Sequence, residues 1–191
     1  MIKIRKSTFE TNSSSTHAIA IPKKPTFKKQ SHVDFKWGEF GWEYKVYYDT
    51  VSKASYLYTM LNYFDGGYTP EYNKRSVYLE TIKKYLDEEN ITYSFEPSRG
   101  DVWENGYVDH GGDTPKVIEG ILKTKESFLT YLFDEKAYVS TGNDNDEGYF
   151  IHGVGLESDY GDYDDYKSLH EKYYKAMKEY EKDYDVYYKG N

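Results

Sequence analysis

Residues 17–21 read HAIAI, in which isoleucine alternates with a smaller or polar residue. A period of two is typical of a β-strand with one buried face. Ile2, Ile4 and Phe9 indicate a short strand before it. Between the two lies TNSSS, residues 11–15, whose small polar side chains favour a turn. The chain is therefore predicted to begin with two strands joined by a polar turn.

Four more short segments, bounded by polar residues, have the alternating or aromatic-rich composition of strands. They are residues 43–49, 91–95, 137–140 and 149–154. Helical spacing of apolar residues predicts helices over three stretches and, with mixed charge, a fourth on the surface. These are residues 51–64, 77–89, 115–133 and 166–184. The third carries the clearest apolar stripe, with Pro115 at its first position, and is predicted to be the central helix.

The patterns together predict an α+β fold, with a mixed, mainly antiparallel sheet packed against three to four helices. A length of 191 residues suits one domain of ordinary size. Residues 1–191 are therefore predicted to form a single α+β domain. Within it, residues 157–191 are acidic and tyrosine-rich and are predicted to form a C-terminal helical segment.

Composition limits where the protein works. No stretch approaches the roughly 18 consecutive apolar residues of a membrane span, and the N-terminus lacks the apolar core of a secretory signal. We therefore expect no membrane partner and a location inside the cell, in the cytoplasm. The sequence has no cysteine, which excludes disulfides and thiolate-metal sites. The 24 tyrosines suit either boundary packing, with the hydroxyl outward, or stacking on unpaired bases.

Charge is unevenly distributed along the chain. Residues 1–30 contain seven basic residues and one acid, so they carry +6, and the rest carries −14 of the total of −8. Such asymmetry can mark a nucleic-acid-binding surface. Alternatively, the basic arm neutralises the acidic body within the molecule. The acidic body could also enter a basic groove of another protein, as a nucleic-acid mimic does.

The densest set of chemically capable side chains lies in RKSTFETNSSSTH, residues 5–17. A turn of serine and asparagine offers several hydrogen-bond donors to an anion, and the arginine adds a forked contact. The predicted phosphate or RNA contacts are Arg5, Lys6, Asn12, Ser13, Ser14 and Ser15. Glu10 is predicted to face His17 across neighbouring strands, which would pair an acid with a base. The alternative is a serine-rich turn with an incidental histidine.

Two other segments carry groups that could join this site. Asp109 and His110 precede two glycines, where backbone can approach a substrate closely. Asp144 lies in a polar loop and is predicted to assist as a carboxylate, since the loop lacks the spacing of an EF-hand calcium site. There is no Walker loop, dinucleotide fingerprint or HExxH motif. We expect no metal and no cofactor.

Metal-independent phosphodiester chemistry on RNA fits these groups. A base deprotonates a ribose hydroxyl and an acid protonates the leaving oxygen. Glu10, His17 and His110 are the predicted catalytic residues, with Asp109 and Asp144 in support. The oligomeric state does not follow from the sequence.

The segment RKSTFETNSSSTHAIAI, residues 5–21, resembles the N-terminal signature of a protein family found in phages, plasmids and other mobile elements of Gram-positive bacteria. VDHGG (108–112) and FLTYLFDEKAYVSTGNDN (128–145) also look like that family. The resemblance implies a shared site around Glu10, His17 and the residues between them. In size and style the chain further resembles anti-CRISPR proteins that inhibit Cas9 by causing its guide RNA to be shortened.

This resemblance implies Cas9 and its guide RNA as partners. Two alternatives stay open. The first is a non-catalytic inhibitor whose acidic surface occupies a nucleic-acid channel of Cas9 or of another defence protein. The second is a mobile-element enzyme that acts on a different phosphate-containing substrate. The C-terminal segment, residues 157–191, lies outside the resemblance and is a candidate partner-binding element.

Overall fold

The protein has an α+β fold. Over the residues that the computed structural model describes, it contains eight strands and five helices. These residues are 15–41, 43–63, 74–99, 105–109, 114–143 and 174–189. The strands are β1 (Ser15–Pro22), β2 (His32–Phe35), β3 (Glu39–Phe40), β4 (Lys45–Tyr47), β5 (Thr92–Phe95), β6 (Tyr107–Val108), β7 (Tyr138–Asn143) and β8 (Tyr184–Lys189). The helices are α1 (Thr50–Tyr63), α2 (Arg75–Glu88), α3 (Thr114–Ile121), α4 (Lys125–Phe133) and α5 (174–180). The predicted fold class is confirmed.

The main sheet has four strands in the order β4-β7-β1-β8, and every neighbouring pair is antiparallel. The alternation in β1 sends its isoleucines and alanines to opposite faces. Ile19 and Ile21 pack into the main core, whereas Ala18 packs against Met177 of α5. Both faces of β1 are covered, so its alanines are as fully buried as its isoleucines. The predicted strands over 2–9 and 149–154 lie outside the described residues.

The helix at the centre of the fold is α1, not the segment 115–133. Every residue from 53 to 62 is buried, so α1 is enclosed on all sides. Buried polar side chains on this helix make hydrogen bonds, as burial requires. Thr59 Oγ1 accepts a bond from Gly38 N at 2.9 Å, and Asn62 Nδ2 donates to Tyr58 O at 2.6 Å. Because polar residues lie among the apolar ones, the sequence of α1 shows no clear apolar stripe.

Residues 115–133, predicted as one helix, form two. The chain leaves α3 after Ile121, and Thr124 begins α4 by accepting a hydrogen bond from Ser127 N at 3.0 Å. A threonine in this capping position satisfies an amide that a continuous helix would not leave free. The predicted stripe is nevertheless buried, because Ile118 and Leu132 both enter the core from the two shorter helices.

The C-terminal segment also differs from the prediction. The helix predicted over 166–184 is described only at 174–180, and the chain then turns and continues as β8. Tyr187 of β8 lies opposite Ile19, and its ring packs on Gly120 of α3. Tyrosine and valine in residues 184–189 favour a strand, and pairing with β1 together with this contact stabilises it. Residues 157–173 lie outside the described part.

Two short parallel strand pairs follow each other along the same two segments of the chain, outside the main sheet. β2 pairs with β5, and farther along the same two chain segments β3 pairs with β6. Gly106 lies where the second pair begins, directly against the backbone of Gly38. These pairs bring the end of β6 towards the start of β1.

We expect Gly106→Ala to destabilise the protein by about 1–3 kcal/mol, because an added methyl group is overpacked against backbone that cannot rotate away. A Cβ at this position would lie 2.3 Å from Gly38 O. Gly41→Ala is the matched control, since the nearest atom to its Cβ is Tyr107 Oη at 3.6 Å. Urea unfolding measures both. Equal midpoints for the two variants would contradict the described approach of the two segments.

A buried lysine links α1 to the chain between α4 and β7. Lys53 has no exposed surface, and its Nζ donates to Asp134 O at 2.8 Å and to Ala137 O at 3.0 Å. Tyr131 Oη donates to Lys53 O at 2.8 Å, which closes the link from the other side. Burial lowers the pKa of Lys53 from 10.5 to about 8, although the charge of Asp134 opposes the shift.

The low pKa of Lys53 predicts a stability that rises with pH on the alkaline side of neutrality. Above about pH 8 the folded state releases this proton while the unfolded chain keeps it, so the unfolded state binds more protons and is disfavoured. We expect the free energy of unfolding to increase by about 1–2 kcal/mol from about pH 7.5 to 9.5. Chemical unfolding across this range measures the slope. Lys53→Met should lack the rise, and an equal rise in that variant would assign it to other groups.

Candidate functional site

The candidate site lies at the end of the main sheet where β1 begins and β7 ends. Ser15 is the register partner of Asn143. The predicted phosphate-binding segment and the polar loop that begins at Asp144 therefore attach to neighbouring positions on adjacent strands. Of Ser15 the structure describes the backbone alone. The other predicted residues outside the described part are Arg5, Lys6, Glu10, Asn12, Ser13, Ser14, His110 and Asp144.

Asp109 is connected to the same end of the sheet. Its backbone N–H donates to Phe40 O at 2.8 Å, at the end of the β3–β6 pair. The next carbonyl along that chain, Gly41 O, lies 3.2 Å from His17 Nε2. Ser15, Asn143 and Asp109 therefore lie at the same end of the main sheet. Each is the described residue next to one of the three predicted polar segments.

His17 is part of the protein interior. It has no exposed surface, and its Nδ1 lies 2.8 Å from the hydroxyl of Tyr56 in α1. Burial raises the pKa of Tyr56 far above its ordinary value of 10, so this hydroxyl keeps its proton. Nε2–H donates to Gly41 O, which can only accept. Gly41 O therefore fixes Nε2 as a protonated nitrogen, and Nδ1 faces the Tyr56 hydroxyl.

Both ring nitrogens of His17 therefore face protein partners. A general base needs a nitrogen within hydrogen-bonding distance of the substrate proton. The described geometry instead makes His17 a positioning residue that ties the start of β1 to α1 and to the end of β3. The sequence carried a signal for this: His17 precedes Ile19 and Ile21 by two and four positions, so all three share the core face of the strand.

Several residues around His17 were not singled out from the sequence. Phe40 makes edge-on ring contacts with Tyr47 at 5.3 Å and with Tyr56 at 5.0 Å. Thr141 Oγ1 donates to Glu43 O at 2.8 Å. Burial raises the pKa of Tyr47, although a hydrogen bond between its hydroxyl and that of Thr141 opposes the shift. Aromatic rings and hydroxyl groups thus surround the end of the sheet, although no local motif marks them.

Two lysines of the basic arm contact the acidic body. Lys23 donates to Glu181 O at 2.6 Å and lies 3.7 Å from Asp185. Lys29 pairs with Glu89, which also binds Lys125 at 2.8 Å. Hydrogen bonds from Lys125 and Lys29 lower the pKa of Glu89 to about 2. For these two lysines the contacts favour neutralisation within the molecule over a nucleic-acid surface.

Metal and membrane features are absent from the described part of the chain. Over those residues, no three histidine, aspartate or glutamate side chains are grouped closely enough to hold a metal ion. No described helix combines the length and apolar character that a bilayer crossing requires.

Comparison with known proteins adds no relative. No family model matches the chain, and neither does any curated protein or solved structure. What supports a role for the site is therefore the chain's own geometry and chemistry.

We expect Tyr56→Phe to destabilise the protein by about 1–3 kcal/mol, because it leaves His17 Nδ1 buried without the hydroxyl that it contacts. Tyr85→Phe is the matched control, since Tyr85 is half-buried and its hydroxyl makes a longer bond, 3.4 Å, to Leu122 O. Urea unfolding compares the two. In a double-mutant cycle with His17→Leu, the combined loss should be smaller than the sum. Strict additivity would mean that the two side chains do not act as a pair.

Proposed function

We propose that this chain is an anti-CRISPR protein that inhibits Cas9 by promoting cleavage of its guide RNA at the start of β1. The observation that carries the proposal is the convergence at one end of the sheet. Ser15 lies opposite Asn143, and Asp109 is joined through Phe40 and Gly41 to His17. The resemblance of residues 5–21 to mobile-element proteins supports the choice of target. Such an inhibitor would act in the cytoplasm of the bacterial host, where Cas9 and its guide RNA meet.

The proposed chemistry requires a base for the ribose hydroxyl, an acid for the leaving oxygen and donors for the phosphate. Because His17 is buried and bonded, the acid and base fall to Glu10 and His110. The donors would come from the segment that enters β1. They are Arg5, Lys6, Asn12, Ser13, Ser14 and Ser15, with Asp109 and Asp144 in support.

A binding-only inhibitor is the second candidate, and the burial of His17 favours it. Because the imidazole of His17 is buried inside the fold, the predicted catalytic set is left with Glu10 and His110. The residues after position 30 carry −14, which suits occupation of a basic nucleic-acid channel. This candidate needs no cleavage chemistry.

Purified protein incubated with end-labelled guide RNA, with and without Cas9, in EDTA and in magnesium, tests the proposal on a denaturing gel. We expect defined shortening that persists in EDTA. Glu10→Gln and His110→Asn should each slow it by at least about 100-fold while Cas9 and RNA binding are kept. His32→Asn is the control, because His32 lies in β2 and bonds Thr92 and Asp34.

The other outcomes separate the candidates. Intact RNA with loss of Cas9 activity would support the binding-only inhibitor. RNA that is cleaved equally well without Cas9, whatever its sequence, would indicate an enzyme with another target. No effect on either RNA or Cas9 would refute the assignment to Cas9.

A further inference from the structure

The outer edge of β8 is open in the described part of the chain. β8 ends the main sheet and pairs on one side with β1, and no other described strand lies beside it. An edge strand presents a row of backbone N–H and C=O groups that can pair with another strand. The side chain of Asp185 on this strand is 45% exposed and lies 3.7 Å from Lys23 Nζ.

The hydrogen bonds at the start of β8 show which groups face outward. Lys23 N donates to Asp183 O at 2.8 Å, while Asp183 N donates to Tyr180 O, and the register places Lys23 and Asp183 opposite each other at the position of a hydrogen-bonded pair. In an antiparallel ladder such pairs alternate, so Asp185, Tyr187 and Lys189 direct their backbone groups to β1. Tyr184, Val186 and Tyr188 therefore direct theirs to the open edge.

We propose that β8 pairs antiparallel with β8 of a second copy of the chain, about a two-fold axis at Tyr187. Val186 then lies opposite Tyr188 of the second copy, and the outward N–H and C=O groups of both are paired. Asp185 lies opposite Lys189 of the second copy, and the symmetry makes this pair twice. The two four-stranded sheets become one sheet of eight strands.

Charge complementarity favours this occupant and this register. Directly opposite residues of unlike charge stabilise an antiparallel pair, and like charges destabilise it. The strand YDVYYK has its acid two residues before Tyr187 and its lysine two residues after it, so it complements itself. Centring the axis on Val186 would instead place Asp185 opposite a tyrosine. Because only one strand edge is involved, we expect a weak dimer that forms in the micromolar range.

Sedimentation velocity of the full chain over a range of concentrations tests the proposal. The wild-type chain should dimerise, and Asp185→Lys or Lys189→Asp should each weaken the dimer by at least about tenfold. An equimolar mixture of these two variants should recover a heterodimer, because both facing pairs are again opposite in sign. The chain that carries both substitutions should recover the homodimer.

Two further variants guard against trivial explanations. Lys182→Asp makes the same change in net charge as Lys189→Asp in the exposed turn before β8, and it should leave the dimer intact. Val186→Pro removes an outward N–H without touching the β1 pairing, and it should abolish the dimer while the circular dichroism spectrum is kept. A monomer at every concentration, or a dimer that the charge variants do not weaken, would overturn the proposal. Failure of the mixture to associate would overturn it as well.

Discussion

The structure depends on β1 being enclosed on both faces and paired on both edges. A strand in that position needs a partner for every backbone N–H and C=O group, because water cannot reach them. β7 and β8 provide those partners, although they lie more than 110 residues away in the chain. The main core covers the isoleucine face and α5 covers the alanine face. Long-range pairing of β1 therefore sets the course of the C-terminal half.

The interior around β1 and α1 also contains polar side chains and tyrosines. His17 lies on the core face and needs two partners, which Tyr56 and Gly41 supply. Lys53 needs carbonyl acceptors, and the chain after α4 supplies them. Tyr56 and Tyr131 are fully buried with their hydroxyls bonded inside the protein, so these two tyrosines follow neither boundary packing nor stacking on bases. Here tyrosine combines buried area with a donor that a leucine would lack.

Local patterns were enough to predict the fold class, β1 and the helices α1 and α2, because these segments carry apolar residues at strand or near-helical spacing. They failed where distant contacts decide the structure. Thr124 starts a new helix within a stripe that looked continuous, and residues 184–189 become a strand because β1 requires one. Which helix is central depends on how many sides are covered, and one sequence does not carry that information. The gathering of Ser15, Asn143 and Asp109 likewise arises from sheet register.

The position of His17 changes how its substitution would have to be interpreted. Removing the imidazole leaves the Tyr56 hydroxyl and Gly41 O without a buried partner, and it loosens the strand start to which residues 5–14 attach. Any function of that segment would then be lost with the fold around it. Loss of activity in a His17 variant therefore does not identify a catalytic base. A catalytic role would instead require a variant that changes the pH dependence of activity and keeps the unfolding midpoint. A purely structural role lowers the midpoint and leaves the pH dependence unchanged.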